Sequence, residues 1–380
     1  MAQTTYFASK PRYAILDGLR GVAALMVVAF HLFETYIPVL HTQVINHGYL
    51  AVDFFFILSG FVIGYAYDDR WAKGMTVGNF FKRRLIRLQP MVIAGTIFGT
   101  LLFLFGAEAF RGMTMSWWKI LLTAILGCCM IPLIPGLDIR GWQEMYPLNG
   151  PQWSLFLEYI GNILYATIIH KFSKKWLSVF VGIAAAILIE YAVTCPMGSL
   201  AGGWSLNWPQ LRIGFTRLLF PFFGGLLLYR FNKLIHVKHA FLWCSLLIIL
   251  FLSVPRLGSF QNHWINGLYE ALVIIFVFPV IVSMGAGGET KPGISTKICN
   301  FLGEISYPIY ITHYPLVYAQ NAWASAHNDA PVGAHIFVSV SVFILSMALA
   351  YACLKLYDLP VREKLKEKFL VKPKAQEQAA

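Results

Sequence analysis

The segment LDGLRGVAALMVVAFHLFETY, residues 16 to 36, sets an arginine and a histidine into a run apolar enough to enter a bilayer. Arg20 and His31 are eleven residues apart, close to three whole turns at 3.6 residues per turn, so both side chains leave one face of a helix. They sit roughly 16 Å apart along that face, about half the thickness of a hydrocarbon core. An ionisable side chain at the bilayer centre costs from about 2.5 kcal/mol upward, so such groups usually face a bundle interior or a water-filled cavity. Imidazole titrates near neutral pH and is the commonest general base, which makes His31 the first candidate for a reactive group. Its plainer role is a packing hydrogen bond inside the bundle. Arg20 stays charged and offers a fork of donors to phosphate or carboxylate, or pairs with Asp17 or snorkels to the surface.

Other segments add polar groups to apolar sequence. Asp53, in VDFFFILSGF, either orients an imidazole, as a carboxylate does in hydrolase triads, or neutralises a nearby cation. FFKRRLIRLQP supplies Lys82, Arg83, Arg84 and Arg87, a cluster that serves topology or seats a phosphorylated cytoplasmic donor. In PQWSLFLEYIGNILY, Trp153 reads as an interfacial aromatic beside Ser154, whereas Glu158 calls for a partner or a cavity. GEISYPIYITHYP places Ser306, Tyr310 and a second intramembrane histidine, His313, at helical spacings. His41, His47, His263 and His327 fall in outer loops and are expected to be solvated. The six cysteines show no metal-type spacing and read as packing residues, and no metal is expected. HExxH, GxSxG and P-loop motifs are absent.

The elements that must position these groups are membrane helices. The chain has 380 residues, of which 58% are hydrophobic and 13% charged, against roughly 25% charged in soluble domains. Its formal net charge of +12 points to the lipid bilayer, where Lys and Arg mark cytoplasmic loops, and not to nucleic acid. Eleven apolar windows can be drawn, near 14–36, 49–67, 89–107, 119–134, 153–170, 176–194, 213–230, 240–254, 268–285, 303–320 and 335–357. The basic connections all lie on one side only if one window fails to cross. KILLTAILGCCMIPLIPG, short and ending in Pro132, Pro135 and Gly136, is the re-entrant or interfacial one. The expected fold is therefore an all-α polytopic bundle of about ten transmembrane helices with both termini cytoplasmic. Residues 1–360 form the membrane domain and 361–380 a basic tail. Arg20 then lies toward the cytoplasm, with His31 and Asp53 in the outer half.

In order and position, LDGLRGVAALMVVAFH, AVDFFFILSGFVI, FFKRRLIRLQP, WSLFLE and ISYPIYITHYP resemble the blocks of the acyltransferase 3 family, membrane enzymes that O-acylate carbohydrates and other hydroxylated acceptors. The resemblance runs from about Ile15 to about Lys364. Asp358, in YDLPVREKL, stands where the family usually has glutamate before proline. The resemblance implies acyl-CoA, most simply acetyl-CoA, as donor, with its phosphates near Lys82 to Arg87 and Arg20. It implies His31 as base or acyl carrier, Asp53 and Glu158 as orienting groups, and Trp153, Ser154, Tyr310 and His313 around the substrate. The acceptor would be a surface polysaccharide or glycolipid at the inner (cytoplasmic) membrane. Some members carry a further extracytoplasmic esterase-like domain; this chain is expected to act alone or to hand its acyl group to a separate extracytoplasmic protein. Composition alone fits a glycan exporter equally well, and a small-molecule acceptor is a narrower alternative.

Overall fold

In a computed structural model the described residues are 10–37, 43–106, 116–259, 261–289 and 293–370. His41 and the last ten residues of the tail lie outside them. The described chain is helical throughout, without strands. The helices are α1 (Ala14–Glu34), α2 (Ala51–Trp71), α3 (Val77–Gly106), α4 (Trp117–Cys128), α5 (Gln152–Thr167), α6 (Lys174–Thr194), α7 (Trp208–Phe231) and α8 (Ala240–Ser253). Then α9 (Trp264–Leu272) runs through a π-helical turn into α10 (Phe278–Gly287). After α11 (Ile294–Ala326), α12 (Val332–Cys353) passes through a second π turn into α13 (Leu359–Phe369).

Among the described residues, seven helical segments are long and apolar enough to cross a membrane, the α9–α10 and α12–α13 pairs each counting as one. Helices α5 and α8, of 16 and 14 residues, fall short on length; α11, at 33 residues, is the longest and carries more polar groups. Contacts fix the direction of travel. Arg87 near the start of α3 lies within electrostatic reach of Arg20 in α1 and Arg362 in α13, and Lys366 within reach of Arg12, so the described chain begins and ends at one basic end. At the other end α1 meets α11 through Thr35 and Asn321.

Helix α4 does not traverse. Twelve residues rise only about 18 Å, against about 30 Å of hydrocarbon. It stops where Gln89 Nε2 donates to the Cys128 carbonyl at 2.5 Å. The chain then returns, and Arg140 lies over the Phe103 ring, 14 residues further along α3. This half-depth hairpin is the segment expected to be re-entrant, and the other helical passes alternate in direction.

Close helix contacts depend on glycine. A Cβ on Gly60 of α2 would fall 1.7 Å from the Phe222 carbonyl oxygen of α7, and one on Gly225 2.0 Å from the Ile57 oxygen, the small-residue packing that lets membrane helices approach. In α11, Pro315 has no N–H for the Ile311 carbonyl. Asn149 Nδ2 supplies the donor at 2.8 Å, tying the loop before α5 to α11.

Candidate active site

At the end of α1, His31 and Glu34 meet one turn apart, with Nδ1 donating to Glu34 Oε2 at 2.8 Å. A carboxylate only accepts, so Nδ1 carries a proton, and in the neutral ring Nε2 presents a lone pair. His313 of α11 stacks beside this ring, centroids 5.7 Å apart and planes at 27°. Its Nδ1 donates toward the carbonyl oxygens of Ile309 and Tyr310 at 3.0 and 3.1 Å, which leaves Nε2 as a second bare acceptor, buried and without a partner among the described residues. Tyr314 sets its ring edge-on to His31 at 4.7 Å. Two acceptor nitrogens thus share one corner, and either suits a hydroxyl proton.

The other expected site residues divide into separate groups. Asp53 does not reach an imidazole. Of the two roles open to it, the structure realises charge neutralisation: Arg217 of α7 holds it through Nε at 3.2 Å and Nη2 at 2.6 Å, both side chains being buried. Arg217 also donates to the carbonyls of Tyr49 and Gly202, and its guanidinium lies 5.4 Å from the centre of the Trp153 ring. Trp153 is therefore packed onto an internal ion pair and is not an interfacial aromatic. Glu158 accepts from Arg84 Nη2 and from Ser59 Oγ, each at 2.6 Å. Ser154 gives its own proton to the Pro151 carbonyl at 3.0 Å, so the Tyr310 hydroxyl is the donor in their 2.6 Å contact.

The basic cluster is split by helix geometry. Lys82 and Arg84 stand roughly 200° apart on α3, so Lys82 is exposed while Arg84 turns inward to Glu158. Arg83 is half-buried. Arg87 joins Arg20, which lies 3.5 Å from Asp17, and Arg362, which lies 2.9 Å from Asp358. The Nε of Arg362 is buried without a hydrogen-bond partner among the described residues. Arg20 and His31 do leave one stripe of α1, yet Ala24 and Val27 between them are buried, so no accessible stripe of that helix joins the two. A half-buried row lies instead on the otherwise enclosed α2, at Phe55, Ser59, Val62 and Ala66. It passes from Ser59, bonded to Glu158, to Phe55, whose ring is 5.4 Å from Tyr310; Tyr310 in turn lies 6.1 Å from His313.

Several participants were missed in the sequence. Glu34 was visible at i+3 from His31 but was given no role. Arg217 lies in an apolar run and was a legible intramembrane cation. His47, expected to be solvated, is fully buried, bonded to the Val254 carbonyl at 2.9 Å and to the Asn266 side chain at 3.1 Å; His263 is half-buried and His327 exposed. Glu144, in the loop before α5, is buried and accepts from Tyr318 at 2.6 Å. Burial pushes its carboxyl up to about 7, with the Tyr318 hydrogen bond and the Arg140 charge pulling back. All six cysteines are free, three of them buried, and no cluster of His, Cys, Asp or Glu suited to a metal occurs among the described residues.

A family model described as an acyltransferase domain matches residues 13–354. The chain belongs to the acyltransferase 3 family. Its relatives include the O-acetyltransferase OatA of Staphylococcus aureus (strain MRSA252), 23% identical over 396 aligned residues that take in 97% of this chain and 60% of that protein. Protein 2 in picA locus of Rhizobium radiobacter is 30% identical over 188 residues, 48% of this chain and 95% of that protein. The chain thus spans about 60% of the length of the O-acetyltransferase it matches. No solved structure matches it significantly. Within this acyltransferase 3 chain the matched span contains Arg20, His31, Glu34, Asp53, Glu158 and His313.

Proposed function

We propose that the protein is a membrane O-acyltransferase that moves an acetyl or similar short acyl group from acyl-CoA to a hydroxyl of a cell-surface polysaccharide or glycolipid. The observation that carries this reading is His31, its Nδ1–H held by Glu34 so that Nε2 of the neutral ring is free to take a proton, eleven residues along α1 from Arg20 in a cluster of cations. The acceptor hydroxyl gives its proton to His31 Nε2 and its oxygen attacks the thioester carbonyl carbon. The carbon–sulfur bond breaks and the departing thiolate takes the proton from the imidazolium, leaving an ester and the CoA thiol. Glu34 steadies the transient imidazolium, and His313 Nε2 orients the acceptor by taking a hydrogen bond from a neighbouring hydroxyl.

The basic end suits the donor. Arg20, Arg87 and Arg362 are gathered with Asp17 and Asp358 beside them, and the Nε of Arg362 has no hydrogen-bond partner among the described residues; a set of cations held in mutual repulsion favours a polyanion. The positive-inside rule puts this end, and both chain termini, in the cytoplasm, where acyl-CoA is found. On this reading the protein sits in the inner membrane, and the half-buried row of α2 guides the thioester toward Tyr310 and His313. The relative's printed name, O-acetyltransferase, favours acetyl as the group moved.

The test is CoA release. Membranes containing the protein should liberate CoA thiol from acetyl-CoA only when a hydroxylated acceptor is supplied, with an ester recovered on that acceptor. Loss of glycan export on deletion, with acylation unchanged, would instead establish an exporter.

A further inference from the structure

The cations at the basic end stand at two levels. Arg20 of α1, Arg87 of α3 and Arg362 of α13 make the inner one. Helix α1 leaves the basic end and α13 runs out to it, so Arg12, eight residues before Arg20, and Lys366, four after Arg362, lie farther from the bilayer centre. For Lys366 the step is about 6 Å. These two are within electrostatic reach of each other, and Lys366 also of Arg87 and Arg362. Both are exposed, whereas Arg362 is buried. Four residues apart, Arg362 and Lys366 share one stripe of α13, so the lysine stands over the inner level. The nearby aspartates are engaged below: Asp17 lies 3.5 Å from Arg20 and Asp358 2.9 Å from Arg362. Glu363 is within reach of Lys366 but leaves α13 about 100° round from Arg362. Among the described residues Arg12, Arg87 and Lys366 take part in no ion pair.

We infer that Arg12 and Lys366 seat the 3′-phosphate of the acyl-CoA donor above its diphosphate, so that the protein accepts free acyl-CoA in preference to a thioester of dephospho-CoA or of phosphopantetheine. A phosphomonoester carries about two negative charges at neutral pH, and its oxygens accept from ammonium and guanidinium groups alike. Phosphopantetheine, the arm on which carrier proteins hold acyl groups, has one phosphate and brings nothing to the outer level. Lys366 lies beyond the span that the family model matches, 13–354, so this contact comes from the continuation of α12 into α13. The inference rests on the acyl-CoA reading above and adds to it which form of the donor is taken.

The experiment measures binding of CoA, 3′-dephospho-CoA and 4′-phosphopantetheine to the full chain in detergent by isothermal titration, with no acceptor present. The wild type should bind CoA about tenfold more tightly than dephospho-CoA, the size of one charge-assisted phosphate contact. Lys366→Gln should raise Kd for CoA about tenfold and leave Kd for dephospho-CoA within twofold. Arg12→Gln should act in the same sense, and Lys366→Arg should keep most of the affinity. Equal wild-type affinity for CoA and dephospho-CoA overturns the seat, as does a Lys366→Gln Kd for CoA that is unchanged or that rises in step with that for dephospho-CoA; the acyl-CoA reading then stands on the inner level. Lys366→Gln protein that binds CoA like wild type but copurifies with less anionic phospholipid assigns the two cations to a lipid headgroup instead. Wild type that binds none of the three probes contradicts the donor reading and the seat with it.

Discussion

At the scale of single residues, the account turns on which nitrogen of an imidazole holds its proton. Glu34 fixes that choice for His31, and two helix carbonyls fix it for His313. Glu34→Ala should therefore lower kcat for acetyl transfer by about 10- to 100-fold, the loss of a group that holds a base in its working tautomer, with KM for acetyl-CoA unchanged. Steady-state CoA release measures both. Glu144 supplies a stability test. Its carboxyl is raised to about 7 in the fold against an ordinary 4.5, so between those values the folded protein binds more protons than the unfolded chain. Stability from this group is full below about pH 4.5 and is lost as pH rises through about 7. Arg140, Tyr318, Asp138 and Glu34 are the charged or titratable groups that face it. Glu144→Gln should flatten the fall in melting temperature between pH 5 and pH 8 in detergent, and parallel curves would remove the assignment. Arg20, His31 and Glu158 were legible in the sequence because a charge in an apolar run has few explanations. Glu144 was not, since its loop has neither period nor apolar contrast.

At the scale of elements, α2 and α7 form the internal support of the site. Glycines let the backbones touch, and Arg217 bridges to Asp53 across 164 positions of sequence. Asp53→Leu leaves a buried guanidinium unpaired and should cost about 3–5 kcal/mol, whereas Asp53→Leu combined with Arg217→Leu should recover much of the loss, because an apolar pair leaves no uncompensated charge. Thermal unfolding of the purified variants decides it; equal losses in the single and double variants would contradict the charge argument. Such pairing was beyond sequence reading, which saw Asp53 and could not see what faces it. The half-depth α4 was legible, because Pro132, Pro135 and Gly136 end a window already too short to span. The split of the basic cluster was legible in principle from the helical angle between Lys82 and Arg84, but a compact run of cations invited treatment as one patch.

At the scale of the whole molecule, alternating passes and one half-depth hairpin set the cations and the histidine pair toward opposite ends of the bundle. Cations from α1, α3 and α13 converge at the end where the described chain begins and finishes, and the histidine pair lies toward the other. Cysteines introduced in place of Arg12 and Lys366 in an otherwise cysteine-free chain should therefore be labelled by a membrane-impermeant thiol reagent from the same side, and one in place of His327 from the opposite side. The helical windows made this division readable in sequence. What lies between the ends was not, since the sequence does not show that Ala24 and Val27 on the face of α1 between Arg20 and His31 are buried while a row of α2 stays half-buried. The central claim, that the His31 imidazole takes the acceptor proton, is tested most directly by CoA release from His31→Ala membranes at saturating acetyl-CoA. Turnover should fall by about 10²- to 10⁴-fold, the usual contribution of a positioned base, while acetyl-CoA binding stays within twofold of wild type; turnover at the wild-type rate would contradict the account.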